Sequence, residues 1–255
     1  MNSPPFFSII TASYNSASTI RKTLVSVRGQ TFPELEHIVV DGGSEDETPD
    51  MLREFQGTYP LIWSSEPDHG IAHALNKGLK KAVGRYIIVI QGDDSFLSSK
   101  TLESVFPLIK NGDSDICAFP VLYNPPVKGK KVGKPVQFLW WHRFRNIFPH
   151  QGVFVRRNVF DQVGLFNEKY AISMDYDFFY RALNLRCRVQ YGDMPVAMVG
   201  GKGASADDTL LLKRLKEEYC IQKQNERKPL WRLSQLLFQC LYSPYKLWGL
   251  RELFF

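Results

Sequence analysis

Apolar residues with β character recur along the first half of the chain in short runs: Phe6 to Ile10, Leu35 to Val40, Leu61 to Ser64, Tyr86 to Ile90 and Ile116 to Val121. Runs this short and this far apart predict parallel strands joined by crossover helices rather than hairpins. The intervals supply those helices. Ile20, Leu24 and Val27 repeat at helical spacing behind Ser16 and Ser18 as cap candidates. Thr48 before Pro49 reads as a cap with proline in the first turn, leading into Met51, Leu52 and Phe55. Ile71, Leu75 and Leu79 mark a third helix, with Gly84 as its expected terminator. Past residue 121, Pro125, Pro126, Gly129, Gly133 and Pro135 among lysines predict a long irregular segment. Gly152 to Val155 then reads as a strand, Asn158 to Val163 and Tyr176 to Leu185 as helices, and the chain from Asp207 as two helical pieces broken near Lys228 and Pro229. The expected fold class is α/β, a mainly parallel sheet flanked by helices with a helical C-terminal tail.

Composition narrows the class. A chain of 255 residues, 44% hydrophobic and 23% charged, buries a full core and gives no reason to expect disorder. Its start lacks the basic and apolar regions of a secretory signal, and no window reaches the roughly 18 apolar residues of a membrane span, so a cytoplasmic protein is expected. Cys117, Cys187, Cys220 and Cys240 form no CxxC pair, which argues against a zinc site or a disulfide framework. The net charge of +6 is uneven: residues 116 to 160 hold eight Lys or Arg and no acid, and residues 210 to 255 hold nine basic against four acidic. Such regions suit anionic partners, and equally suit plain solvated surface.

In open α/β sheets ligands bind beyond the carboxyl ends of the strands, and here those ends are polar. Thr11 to Asn15 follow the first run, Asp41 to Asp46 the second, Glu66 to Gly70 the third and Gln91 to Asp94 the fourth. No GxGxxG follows the first strand and no GxxxxGK[ST] occurs, so neither dinucleotide nor P-loop chemistry is supported. Adjacent Asp93 and Asp94 suit a hard cation bridging to a diphosphate, or else an ordinary Gly-Asp-Asp-Ser turn.

Five segments in order, SIITASYNS, HIVVDGGSEDET, SEPDHGIAHALNKG, RYIIVIQGDDSF and HQGVFVRRNVFDQVGLFNEKYAISMDYDFFYRA, resemble glycosyltransferase family 2, the nucleotide-sugar enzymes of GT-A fold. The resemblance covers residues 6 to about 185 and is nearest to short bacterial enzymes that build polysaccharide or lipopolysaccharide. It implies a catalytic domain over residues 1–205, with residues 206–255 as a basic, aromatic helical extension. By position, it places Thr11, Ser13 and Tyr14 on the nucleotide-base pocket and Asp41 as the acceptor for the base. Asp68, Asn76 and Lys77 fall beside the nucleotide, Asp93 meets the ribose and Asp94 holds Mn²⁺ or Mg²⁺. The His that adds a third metal ligand in many relatives is absent, that region reading VGGKGAS, so a weaker metal dependence is expected. Asp175 of SMDYDFF falls at the catalytic base, with Met174 where Glu is usual, and Asp177 is the nearby competitor, expected to be structural. His150 and Gln151 are expected on the acceptor side, and His69 and His73 as pocket or structural residues.

The implied activity is inverting transfer from a nucleotide diphosphate sugar, with UDP-sugar the expected donor, to a hydroxyl of a growing, lipid-linked cell-surface glycan. Two other readings stay open: a nucleotidyltransferase of similar architecture, and a non-catalytic glycan- or nucleic-acid-binding protein, although no nucleic-acid partner is expected. From residue 229 on, Trp231, Phe238, Tyr242, Tyr245 and Trp248 alternate with leucines near Arg232, Lys246 and Arg251. This pattern suits peripheral contact with the inner face of an anionic membrane, or packing on the domain or on a second subunit of a homo-oligomer.

Overall fold

The computed structural model describes residues 4–127, 130–200 and 208–248. Its spine begins with four parallel strands, β1 (Phe7–Ser13), β2 (Leu35–Asp41), β3 (Leu61–Ser65) and β4 (Tyr86–Val89), in the spatial order β4, β1, β2, β3. Crossover helices α1 (Ile20–Arg28), α2 (Thr48–Phe55) and α3 (Ile71–Lys81) connect them, as the hydrophobic spacing predicts. A second sheet begins at β5 (Ser95–Phe96), and α4 (Thr101–Ile109) leads to β6 (Ile116–Ala118) of the main sheet. β7 (Val121–Val127) and β8 (Lys130–Gly133) follow, then β9 (Val153–Arg156), which lies antiparallel between β4 and β6. After α5 (Arg157–Val163) and α6 (Met174–Asn184), β10 (Val189–Tyr191) closes the seven-stranded edge beside β6, and β11 (Ala197–Gly200) joins β5, β7 and β8. The described chain ends in α7 (Leu211–Asn225) and α8 (Pro229–Trp248).

Both faces of the main sheet are covered, which is why its strands read as nearly unbroken apolar runs. Period two still sorts the side chains. Ile10, Ile87, Val89, Ile116, Val153 and Val155 face α3 and α6, while Phe7, Ile9, Tyr86, Ile88, Cys117 and Phe154 face the other way with Leu102 and Val105 of α4. α3 lies tight on the sheet because Gly78 meets Ile10: a Cβ there would come within 2.6 Å of Ile10 Cγ2.

The segment expected to be irregular contains a hairpin. β7 and β8 pair Val121 with Gly133 and Leu122 with Val132, and a register shift between Leu122 and Val127 accommodates the prolines, which cannot donate to a ladder. Gly84 does not stop α3, which ends at Lys81; it is small because a Cβ would meet the β1 backbone and Ser8. Neither Ser16 nor Ser18 caps α1 by its side chain, since the Ser16 carbonyl takes the N–H groups of Thr19 and Ile20. The described part of the C-terminal extension packs closely on the sheet domain: Ile221 of α7 is fully buried in the same core as Phe178 and Tyr180 of α6. Among the described residues, no helix is long and apolar enough to cross a membrane.

Candidate active site

Register sets the floor of the site. Ser13, Asp41 and Ser65 end β1, β2 and β3 in one lateral row. Asp41 is fully buried, its Oδ1 accepting from the Ser44 hydroxyl (2.5 Å) and its Oδ2 from the Ser44 N–H (2.9 Å) and the Ser65 hydroxyl (2.6 Å). The acceptor expected for a nucleotide base is thus engaged by the turn that follows it, whose shape it fixes. Ser13 Oγ is buried without a hydrogen-bond partner, a cost that a ligand group removes. Tyr14 is 63% exposed. Gly42 lies between its ring and Asp68: a Cβ there would sit 2.6 Å from Asp68 Oδ2 and 3.4 Å from Tyr14 Cδ2. Gly42 also donates its N–H to the Ser13 carbonyl (2.8 Å), so Ser13, Tyr14, Gly42 and Asp68 cluster at one point of the strand edge.

Two residues expected in that pocket lie inside the protein instead. Thr11 is fully buried; its hydroxyl donates to the Ile90 carbonyl (2.6 Å) and meets His37 Nε2 at 2.9 Å. Because the Thr11 proton goes to Ile90, His37 donates through Nε2, and its Nδ1 accepts from the Tyr59 hydroxyl (2.7 Å). Burial pushes the His37 pKa down to about 3, so this ring is a neutral sheet component. Asn76 is also internal: Nδ2 donates to the Phe166 carbonyl and to Glu168, and Oδ1 accepts the Phe166 N–H. It ties α3 to the loop before α6. Lys77 pairs with Glu66 (2.9 Å) and donates to the Pro67 carbonyl (3.3 Å), holding the loop after β3. His69 and His73 stack at 5.0 Å, and no group of three metal-ligating side chains occurs among the described residues.

The two acids after β4 are unequal. Asp94 is 1% exposed, with Oδ1 accepting the Gly200 N–H (2.9 Å) and Oδ2 the Gln91 N–H (3.2 Å). Burial and then the neighbouring Asp93 charge raise its pKa to about 6, against the pull of His150 and of hydrogen bonds from Gly200 and Gln151. Asp93 is only partly buried and lies against Gly200, where a Cβ would come within 2.6 Å of Asp93 Oδ2. Of the pair expected to share ribose and cation, Asp93 is the more open and Asp94 is buried. Gln151, expected on the acceptor side, reaches Asp94 instead. The VGGKGAS region lies, past Gly200, outside the described residues.

Asp175 is the second residue of α6, and its side chain is 19% exposed. Oδ1 accepts the Tyr176 N–H (2.7 Å), and Oδ2 accepts from Asn146 Nδ2 (2.8 Å) and lies 3.4 Å from His150 Nδ1. His150 thus stands between Asp175 and the acids after β4. Burial disfavours its imidazolium, yet the hydrogen bond and charge of Asp175, with the charges of Asp94 and Asp93, outweigh burial and raise its pKa. Asp177 points elsewhere, held by Arg181 Nε (2.9 Å) and Asn225 Nδ2 (3.1 Å). A cavity of about 30 Å³ lies under His150 and Asp175, walled by Leu75, Val89, Phe166 and Phe178. It has room for about one water and is too small to hold a sugar.

Sequence reasoning missed the residues that hold this arrangement. Asn146 anchors Asp175 from 29 positions away. Glu217 of α7 accepts the N–H groups of Ala171, Ile172 and Ser173 at 2.9 to 3.0 Å, fixing the turn from which α6 starts. An acid in a helix otherwise rich in Lys and Arg was the available signal, and spacing does not say what it reaches.

The family model described as Glycosyl transferase family 2 matches residues 8–177. A PGL/p-HBAD biosynthesis glycosyltransferase of Mycobacterium bovis is 32% identical over 194 residues, 72% of this chain and 70% of that protein. A hyaluronan synthase of Pasteurella multocida is 30% identical over 216 residues, 76% of this chain and 21% of the synthase. Among solved structures, S. aureus TarS 1-349 in complex with UDP-GlcNAc superposes with a TM-score of 0.72 at 19% identity, covering 97% of this chain and 76% of that one. The mannosyltransferase PcManGT of Pyrobaculum calidifontis, in complex with GDP-Man and Mn²⁺, gives 0.70 at 20% identity, covering 96% and 72%. These structures share the fold, and the sequence matches carry the kinship: the chain belongs to glycosyl transferase family 2 and is a glycosyltransferase.

Proposed function

We propose that this glycosyltransferase moves a sugar, with inversion, from a nucleotide diphosphate sugar to a hydroxyl of a growing, lipid-linked surface glycan at the cytoplasmic face of the membrane. The observation that carries this reading is the placement of Asp175 across His150 from Asp93 and Asp94, a carboxylate facing a diphosphate-binding edge. The cluster of Ser13, Tyr14 and Asp68 takes the base and ribose, with Asn76, Lys77 and Asp41 holding the surrounding loops in shape. UDP is the first donor nucleotide to test and GDP the second, since neighbours of the same fold bind UDP-GlcNAc and GDP-Man.

A sugar hydroxyl is a poor nucleophile near neutral pH, so Asp175 accepts its proton as the oxygen attacks the anomeric carbon. The bond from that carbon to the diphosphate breaks on the opposite side, and the nucleoside diphosphate leaves. Asn146 and His150 aim the carboxylate, and their donated hydrogen bonds leave its outer edge open to the acceptor. A divalent cation fits this edge, because Mg²⁺ or Mn²⁺ takes one or two carboxylates and fills its other positions with phosphate oxygens and water. Asp93 would hold it with Asp94 adjacent, and when bound it would offset the charge of the diphosphate.

The test combines binding and turnover. Melting temperature is measured with UDP, GDP and dTDP, with and without Mn²⁺, and transfer is assayed on a lipid-linked glycan extract. Asp175→Asn should keep nucleotide-induced stabilisation and lose about 10²- to 10⁴-fold in rate, whereas Asp93→Asn should lose the metal-dependent stabilisation. Transfer by Asp175→Asn at the wild-type rate would remove that residue from the reaction.

A further inference from the structure

The last helix of the described chain buries polar side chains and exposes apolar ones. The side of α8 that faces the protein carries glutamines, with Gln235 only 3% exposed. Gln235 Nε2 donates to the Arg143 carbonyl (2.8 Å) and the Tyr180 hydroxyl (2.9 Å), and Gln239 Nε2 to Gln222 Oε1 (3.2 Å). Gln222 in turn donates to the Phe144 carbonyl, so these glutamines form a satisfied polar ladder, beside which Trp231 and Phe238 pack on Phe144. The outer face carries Leu230, Leu233, Leu236, Leu237 and Leu241, all exposed and reaching 82% at Leu230. Steps of three and four put these leucines on one stripe, the reverse of a helix that faces water.

A second exposed apolar group lies beside α8. Trp141, in the 3-10 helix Leu139–Arg143, packs against Phe238 at 5.8 Å between ring centres, and beside it Phe138 is 71% and Trp140 51% exposed. The segments that build this surface are basic, although Glu218 of α7 lies near Arg145 and Lys246. Residues 229–248 and 116–160 contain no Asp or Glu. Arg227 and Lys228 are exposed where α8 begins, and Arg145 and Lys246 lie over the Tyr242 ring at 5.7 and 5.4 Å.

We propose that this face docks on an anionic lipid bilayer, with α8 lying flat among the headgroups. Leucines enter the acyl boundary, Phe138 and Trp140 sit at the interface, and the basic rim meets anionic headgroups. The charge selects a bilayer over a second copy of the chain, because a symmetric pair would set two segments without Asp or Glu against each other. The 3-10 helix in this surface leads within three residues to Asn146, which aims Asp175, so a docked molecule holds its acceptor side at the membrane.

The docking surface stands on the geometry of α8 and does not depend on the transfer reading, so it is tested without turnover. Full-length protein is sedimented with vesicles of phosphatidylcholine alone and of phosphatidylcholine mixed with phosphatidylglycerol. The wild type should pellet with the anionic vesicles and be released by high salt. Leu233→Gln/Leu237→Gln/Leu241→Gln should weaken that binding about tenfold or more. Arg227→Gln/Lys228→Gln, which leaves the leucines in place, should weaken it mainly at low salt. Wild-type protein remaining in the supernatant would overturn the proposal. So would a concentration-dependent dimer, dispersed by the leucine substitutions and indifferent to vesicles, which assigns the stripe to a second copy.

Discussion

Asp94 carries an unresolved conflict between burial and charge. A carboxyl raised from 3.8 to about 6 binds its proton more tightly in the folded chain than in the unfolded one. Its contribution to stability is therefore full below about pH 4 and is lost as pH rises through about 6, about 3 kcal/mol in all. Asp94→Asn should flatten that segment of the stability curve. Melting temperatures from about pH 4 to about pH 7 without divalent cation check this, and equal slopes for both proteins would place the dependence elsewhere. At this scale the sequence marked the chemistry better than the partners. Asp93, Asp94 and Asp175 were legible as acids at strand and helix ends, and the structure brings them together through His150. The unequal exposure of Asp93 and Asp94 was not legible, since neighbours in sequence differ in exposure only once the Gly200 N–H arrives from 106 positions away. Thr11 and Asn76 went inside for a related reason. Their polar groups have internal partners, Ile90 with His37 and Phe166 with Glu168, that no local pattern reveals.

Among the elements, α6 and α7 decide where Asp175 sits. The carboxylate of Glu217 takes three successive backbone N–H groups ahead of α6, a role usually filled by a capping side chain, and α6 has no side-chain cap of its own. Glu217→Gln keeps the shape but replaces one carboxylate oxygen with an amide donor that faces backbone N–H groups. The expected result is a loss of about 2 kcal/mol by chemical denaturation, with a lower turnover rate and unchanged nucleotide binding. An unchanged rate would show that the start of α6 is fixed by packing alone. The periodicity of α1, α2, α3 and of the first strands was readable because each buries a continuous apolar face. The hairpin of β7 and β8 was not, because prolines and lysines mask strand character and the pairing partner β11 lies some 75 residues on. α8 was ambiguous in a different way: its aromatics suited packing or membrane, and in the structure Trp231 and Phe238 pack on the domain beside Gln235 and Gln239 while the leucines stay exposed.

For the molecule as a whole, the region that matches the family model ends before the residues that support α6. The match closes at residue 177, whereas Glu217, Gln222 and Glu226 reach back to the α6 turn, to Phe144 and Tyr176, and to Arg143 with Tyr180. A chain cut after residue 207 should therefore lose cooperative unfolding or melt well below one ending at residue 248, because Ile221 leaves the core and buried N–H groups lose their acceptors. Calorimetry of the two chains decides, and equal melting would make α7 and α8 dispensable. The leucine row of α8 has a last consequence, for handling rather than for catalysis. A rigid body with one oily ridge and basic flanks is an amphiphile on the scale of its own diameter. At an air–water boundary it should adsorb ridge upward, so thin aqueous films of the protein will hold molecules in one dominant orientation, and foaming will remove it from solution faster than an even-surfaced protein of equal mass.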